Sequence, residues 1–158
     1  MSNVDPPRVC TEVQVMFFDT DCGGVVSNIA YLRFVEIART RLAEELGLAL
    51  TEMAENRRYP VVVRTEIDYR RAAKLGDQLV IEGRLDRVER VRFWCAFQIT
   101  RPKDNMLIAQ CRQMLALIEM PEGKLLRLPE HWEKYRNDDS AEFQRESQSP
   151  ISGEKYTQ

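Results

Sequence analysis

Asp19 and Asp21, one position apart, stand directly before a glycine pair, Gly23-Gly24, and the chain then runs apolar and helical toward Arg39. This order sets a carboxylate in a tight turn just ahead of a helix start. A helix N-terminus offers free N–H groups and a partial positive charge. A carboxylate beside such donors suits attack on a carbonyl whose oxygen turns negative. Asp21 also has a plainer reading, in which it caps the turn by accepting from nearby N–H groups.

The rest of the chain narrows the chemistry by what it lacks. His131 is the single histidine, so any Ser-His-Asp or Cys-His arrangement would have to use it. It follows Leu128-Pro129-Glu130 near the end of the apparent domain and no GxSxG segment occurs, so a solvated or helix-capping role is expected. Cys10, Cys22, Cys95 and Cys111 are far apart with no CxxC pair, which argues against a zinc site and reads as free thiols. A metal hydrolase would draw on several His, Cys or clustered carboxylates. Hydrolysis by this chain would therefore rest on carboxylates and backbone donors. Glu36 is a further carboxylate, about two turns past the cap at ~1.5 Å per residue. An ion pair with Arg33, Arg39 or a neighbouring strand is its expected role.

These residues need elements to hold them. Residues 1–8 read as a short polar arm, with Pro6-Pro7 resisting regular structure. Val9–Phe18 alternates at Val9, Thr11, Val13, Val15 and Phe17, which predicts a strand, and Asp19–Gly24 a turn. Ser27 or Asn28 is the candidate N-cap of a helix running to Leu46. Tyr31, Phe34, Val35, Ala38, Leu42 and Leu46 recur at three- and four-residue spacing. Leu32 and Ile37 widen the apolar surface, so the first turns are expected to be buried all round. Gly47 is placed to stop the helix in the left-handed conformation. A short helix is expected at Thr51–Glu55. Strands follow at Tyr59–Tyr69, Gln78–Val88, Val91–Thr100 and Met106–Met120, with turns at Gly76-Asp77, Pro102–Asn105 and Pro121–Lys124. Pro129–Tyr135 makes one short helix. One strand, one long helix, then four strands is α+β, and a long antiparallel sheet curled around one central helix is the packing it favours. Residues 137–158 are rich in Asp, Glu, Ser and Gln and read as a disordered polar tail, leaving residues 9–136 as one domain.

The stretch DTDCGGVVSNIAYLRFVEIAR resembles the hotdog-fold acyl-CoA thioesterases of the 4-hydroxybenzoyl-CoA thioesterase family. Their pattern is roughly D-x-D-x-x-G-x-V, then an aromatic, then E-x-A-R on the central helix. Asp19, Asp21, Gly24, Val26, Tyr31, Phe34, Glu36, Ala38 and Arg39 carry it, and Pro60, Tyr69, Gly76-Asp77 and Leu128-Pro129 extend it more weakly. The resemblance implies the hotdog fold for residues 9–136 and hydrolysis of a thioester to free acid and coenzyme A. It implies Asp21 as nucleophile or general base and Asp19 as the partner that fixes the loop. It implies the N–H of Asn28 as oxyanion donor, with Gly23 and Gly24 letting the backbone approach the substrate closely.

The same resemblance implies that basic residues near Arg87, Arg90 and Arg92 grip the phosphates of coenzyme A, since guanidinium offers a bidentate fork. The alternative is that they are solvated side chains alternating with Val88, Val91 and Phe93. Lys124 and Arg127 are weaker candidates for that grip. Phe17, Tyr31, Phe34 and Tyr59 line an aromatic acyl pocket or belong to the core, so aromatic and aliphatic acyl groups both stay open. No metal or redox cofactor is implied, coenzyme A entering only as the substrate thioester, and a homodimer or homotetramer sharing its pocket between subunits is. One branch of the family, associated with the Tol–Pal cell-envelope system, carries Tyr-His where this chain has Ser27-Asn28, so any role for that histidine is absent. The rival reading is a non-catalytic acyl-CoA or acyl-carrier binding or scaffold protein on the same fold. A hotdog dehydratase wants a catalytic histidine near the helix, which this chain lacks.

With a formal net charge of -2, no strong draw toward nucleic acid or an anionic membrane is expected. No apolar run approaches the ~20 residues that span a bilayer. The start, MSNVDPPRVC, has no apolar core of a signal peptide, and the cytoplasm is the expected location.

Overall fold

Period-two alternation builds most of this molecule. The structure, a computed structural model, describes residues 4–136, and the tail expected at 137–158 lies outside the described residues. Strands β1 (Arg8–Gln14), β2 (Arg58–Tyr69), β3 (Gln78–Val88), β4 (Arg92–Arg101) and β5 (Met106–Glu119) form one antiparallel sheet. Their order is β1-β3-β4-β5-β2, and the short β6 (Lys124–Leu125) adds to β5. Helix α1 (Asn28–Glu45) lies on one face, and α2 (Leu50–Asn56) leads into β2.

Successive side chains of a strand point to opposite faces. Leu79, Ile81 and Leu85 of β3, Phe93, Cys95, Phe97 and Ile99 of β4, and Cys111 and Leu115 of β5 are buried, whereas Glu82, Arg84 and Gln98 between them are exposed. Facing the buried set, α1 presents Ala30, Tyr31, Phe34, Val35, Ala38 and Leu42. This is the expected hotdog arrangement, a sheet curled around one helix. A buried polar link crosses it. Gln113 Oε1 accepts from Arg39 Nη1 at 2.7 Å, and Gln113 Nε2 donates to Thr65 Oγ1 at 3.2 Å, tying α1 to β5 and β2.

Gly83 is an inward position without a side chain. A Cβ there would meet a Phe97 ring carbon at 2.9 Å and a Val9 methyl at 3.2 Å, so the gap is the room that the Phe97 ring uses. Gly83→Ala is expected to cost about 1–3 kcal/mol through overpacking, read as a lowered midpoint of thermal unfolding. An unchanged midpoint would show that the ring yields without strain.

Two expectations are corrected. The first strand stops at Gln14 instead of reaching Phe18. The Asp19 carboxylate accepts the Met16 N–H at 2.8 Å, and the Asp19 N–H donates to the Met16 carbonyl at 3.0 Å, closing a 3-10 turn over Phe17–Asp19. A local side-chain acceptor thus overrides the strand pattern. Phe17 consequently stands 81% exposed rather than on a buried strand face. The first turns of α1 are also not buried all round. Ile29 is 74% exposed, and Leu32 and Ile37 are exposed as well, because the sheet covers only one side of the helix. Of the two candidate caps, Ser27 is the N-cap, its Oγ accepting the Ala30 N–H at 3.3 Å. Gly47 takes the left-handed conformation after the helix, as expected, with φ +79°.

Candidate active site

Between the end of β1 and the start of α1, the chain folds into a small hairpin. Thr20 and Val26 form an antiparallel bridge. The Asp21 N–H donates to the Val25 carbonyl at 2.9 Å, and the Gly24 N–H donates to the Asp21 carbonyl at 3.0 Å. Asp21 therefore opens the turn at the tip. Its Oδ1 accepts the Gly23 N–H at 2.8 Å, while Oδ2 has no partner among the described residues, and the side chain is exposed. So Asp21 closes its own turn and still presents one carboxylate oxygen to the outside.

The two glycines serve this geometry differently. A Cβ on Gly23 would sit 3.2 Å from Asp21 Oδ1 and press on that hydrogen bond. Gly24 has open space around it but a φ of +72°, so its need is conformational. At the base of the hairpin, Asp19 is 1% exposed and ion-paired with Arg33. Its carbonyl accepts the Ser27 N–H at 2.9 Å, which locks hairpin to helix. The Arg33 guanidinium also stacks 4.8 Å from the centre of the exposed Phe18 ring. Ser27 occupies the Ala30 N–H. The N–H groups of Asn28 and Ile29 fall in the first turn, where a helix supplies no acceptor, and have none among the described residues.

A second loop backs the first. Lys74, between β2 and β3, bridges Val25, and the Ala73 carbonyl accepts the Val26 N–H at 2.8 Å. The Ala73 N–H in turn donates to the Tyr31 hydroxyl at 3.2 Å. Tyr31 is 4% exposed, and burial pushes its phenol above the ordinary tyrosine range. It therefore holds the backing loop from within. Phe34, edge-on to it at 6.1 Å, is core as well. The Tyr69 hydroxyl reaches the Asn28 carbonyl at 3.5 Å, which places the end of β2 beside the helix start.

The remaining candidates lie elsewhere. Arg92 pairs across the sheet with Ala116, and Tyr59 with Ile118. The hairpin end of the sheet is instead marked by the Val15 N–H donating to the Asp77 carbonyl just before β3. The length of β3, at ~3.3 Å per residue, separates the two ends by about 30 Å. Asp21, Gly24, Asn28 and Tyr31 are thus brought together, whereas Tyr59, Arg90 and Arg92 gather at the far end of the same subunit. Lys124, opposite Glu119, belongs with the far group, and Arg87 is paired with Glu89 at 3.5 Å. Glu36 lies 3.6 Å from Arg39, the ion pair expected of it. His131 is exposed on the 3-10 helix Glu130–Tyr135. Cys10 and Cys22 are exposed free thiols. Burial pushes the Cys95 thiol up to about 12 and the Cys111 thiol to about 11. Among the described residues no cluster of His, Cys, Asp or Glu is arranged to hold a metal, and no helix is long and apolar enough to cross a membrane.

Sequence reasoning missed the backing loop and the partner of Asp19. Gly76-Asp77 was a visible turn signal, but nothing in the sequence says that the loop ahead of it docks on the hairpin.

Comparisons with known proteins bear on the family and the fold. The profile of the Thioesterase-like superfamily matches residues 15–135. The acyl-CoA thioesterase YbgC of Haemophilus influenzae is 30% identical over 118 residues, 74% of this chain and 85% of that protein. The crystal structure of Slr0204, a 1,4-dihydroxy-2-naphthoyl-CoA thioesterase from Synechocystis, superposes with a TM-score of 0.72 at 26% identity, covering 80% of this chain and 93% of that one. A probable thioesterase from Bartonella henselae does so with a TM-score of 0.71 at 29% identity, over 78% of this chain and 100% of that one. An exposed carboxylate at a hairpin tip, a helix N-terminus behind it, a sheet wrapped on that helix and these likenesses converge: the chain belongs to the Thioesterase-like superfamily and is a thioester hydrolase on the hotdog fold.

Proposed function

We propose that this chain is an acyl-CoA thioesterase that releases a free acid and coenzyme A, with Asp21 as its reactive carboxylate. The observation that carries the reading is the pairing of a free Asp21 Oδ2 with unoccupied N–H groups of Asn28 and Ile29 across one short hairpin. As general base, Asp21 takes a proton from water while the water oxygen adds to the thioester carbon. The carbonyl oxygen becomes an oxyanion beside the Asn28 N–H. The C–S bond then breaks, and the departing thiolate receives a proton. As nucleophile, Asp21 Oδ2 itself adds to the carbon and expels the thiolate, and water cleaves the resulting mixed anhydride. Loss of one oxyanion donor costs about 2.7–4 kcal/mol in hydrolases; here the donor is main chain, beyond the reach of side-chain mutagenesis. The names of the relatives support a coenzyme A thioester and leave aromatic and aliphatic acyl groups equally open. The test is thiol release from a panel of acyl-CoAs. Hydrolysis of no member above background would move the reading to a non-catalytic acyl-binding protein.

The far-end residues enter through a second copy. β2 is an edge strand, and Val62, Val63 and Tyr69 on it are exposed. Open edges of this kind are closed by pairing, and homo-oligomers most often pair about a two-fold axis. Two β2 strands paired antiparallel would bring the Tyr59 end of one beside the Tyr69 end, and so the Asn28 end, of the other. Arg90 and Arg92 would then face the neighbouring subunit's hairpin and grip the nucleotide there. Sedimentation at micromolar concentration is expected to show a dimer or tetramer, and a monomer would remove the shared site. Arg90→Ala with Arg92→Ala is expected to raise KM for coenzyme A thioesters more than it lowers kcat, since remote phosphate contacts act as uniform binding. A pantetheine thioester, which lacks the nucleotide, should be nearly indifferent. Equal losses on both substrates would give these arginines a structural role.

A further inference from the structure

We propose that Arg101, at the end of β4, is a positioning residue for thioester cleavage, acting through the 72–77 loop on the Asp21 hairpin; this rests on the thioesterase reading above. Its guanidinium is only partly exposed, and each of its three nitrogens donates a hydrogen bond. Nη1 donates to the Asp77 carboxylate at 2.9 Å and to the Ala72 carbonyl at 3.3 Å. Nε and Nη2 take the Asp104 carboxylate at 3.0 Å and 2.7 Å. One side chain thus grips both ends of the 72–77 loop and anchors them to the β4–β5 turn. Inside that loop Asp77 is doubly committed, because its Oδ2 also accepts the Lys74 N–H at 3.0 Å.

The grip is transmitted by main chain. Ala73 and Lys74, held between the two clamped ends, are the residues that bind Val26 and bridge Val25. Val25 accepts from the Asp21 N–H, and Ser27, next to Val26, caps the helix whose first N–H groups face the oxyanion. The path from Arg101 to both halves of the site therefore runs through hydrogen bonds joined by short stretches of main chain, with Tyr31 supporting Ala73 from the core side. The hydrogen bonds of Arg101 reach neither Asp21 nor the helix start. A planar fork that meets a carboxylate and a carbonyl together suits this task, and a lysine point charge reproduces it only in part.

The experiment uses the full chain and compares Arg101→Ala, Arg101→Lys and Asp104→Asn for kcat, KM and backbone hydrogen exchange. Arg101→Ala is expected to lower kcat on the order of 10–100-fold with KM nearly unchanged, the loss that a small misplacement of catalytic groups produces. Arg101→Lys should recover part of it, and Asp104→Asn should stay near the parent because the grip on Ala72 and Asp77 remains. Exchange at the Val26 amide should accelerate in Arg101→Ala, while Ile81 and Phe97 in the sheet keep their protection. Unchanged Val26 exchange in a folded Arg101→Ala protein overturns the proposal, and so does faster exchange with an unaltered kcat. If Arg101→Ala does not fold, Asp77→Asn with Arg101→Lys carries the same comparison. If the parent hydrolyses no thioester, the thioesterase reading fails by itself, and the Val26 exchange still decides whether Arg101 holds the hairpin.

Discussion

Asp21→Asn is expected to lose most turnover while fold and substrate binding persist. The amide oxygen can still accept the Gly23 N–H, which Oδ1 now takes at 2.8 Å, so the turn keeps its closure. It cannot take a proton from water or attack the thioester carbon, and a positioned base or nucleophile contributes about 10²–10⁴-fold. Asp19→Asn should cost less rate but more stability, because it removes the charge that Arg33 meets at a buried site. Glu36→Gln should change least, since its exposed pair with Arg39 is a surface interaction. Measuring kcat for all three on the best acyl-CoA, with circular dichroism to confirm folding, ranks them. A folded Asp21→Asn enzyme with near-normal kcat would end the proposed mechanism. A dead Glu36→Gln enzyme beside an active Asp21→Asn enzyme would move the role to the helix.

Trp132→Ala should be the most destabilising single change, by about 3–5 kcal/mol, the range for a large aromatic removed from a core. Trp132 is 1% exposed and packs edge-on against Phe93 at 5.0 Å. Its indole Nε1 donates to the Leu46 carbonyl at 3.3 Å. Leu46 caps α1, and the last carbonyls of a helix lack partners of their own. The short C-terminal 3-10 helix thus plugs the end of the core and closes the helix in one contact. Trp132→Phe keeps much of the volume and leaves the Leu46 carbonyl unpaired, so its loss should be smaller, about 1–3 kcal/mol. Urea unfolding of both variants gives the comparison. A loss below ~1 kcal/mol for Trp132→Ala would show that the core collapses into the space.

Sequence and structure divide this protein along a physical line. Strand and helix placement was legible wherever neighbours along the chain set it. The alternation of Phe93, Cys95, Phe97 and Ile99 marks a strand buried on one face, and the spacing of Tyr31, Phe34, Ala38 and Leu42 marks one helix face. Gly47 was legible as a helix stop and Gly76 as part of a turn, and their φ values of +79° and +83° say why. The Asp21 turn with its glycines was legible too, because an Asx turn is made within a few residues.

Where a distant partner competes, the pattern misled or fell silent. Val9–Phe18 alternates throughout, yet the Asp19 carboxylate captures Met16 and turns Phe17 outward. Tyr31 and Phe34 looked as much like pocket as like core, and only the closing of the sheet over α1 buries them. Which end of the sheet Tyr59, Arg90 and Arg92 occupy relative to Asp21 was silent in the sequence, and the register of β2 and β4 sets it. The sequence by itself determined the fold class, the helix and the carboxylate-bearing turn, because local sterics and hydrogen bonds specify them. Tertiary structure alone decided what the turn leans on, since the contacts of Arg101, Ala73 and Val26 join residues far apart in sequence, and no local preference encodes such a meeting.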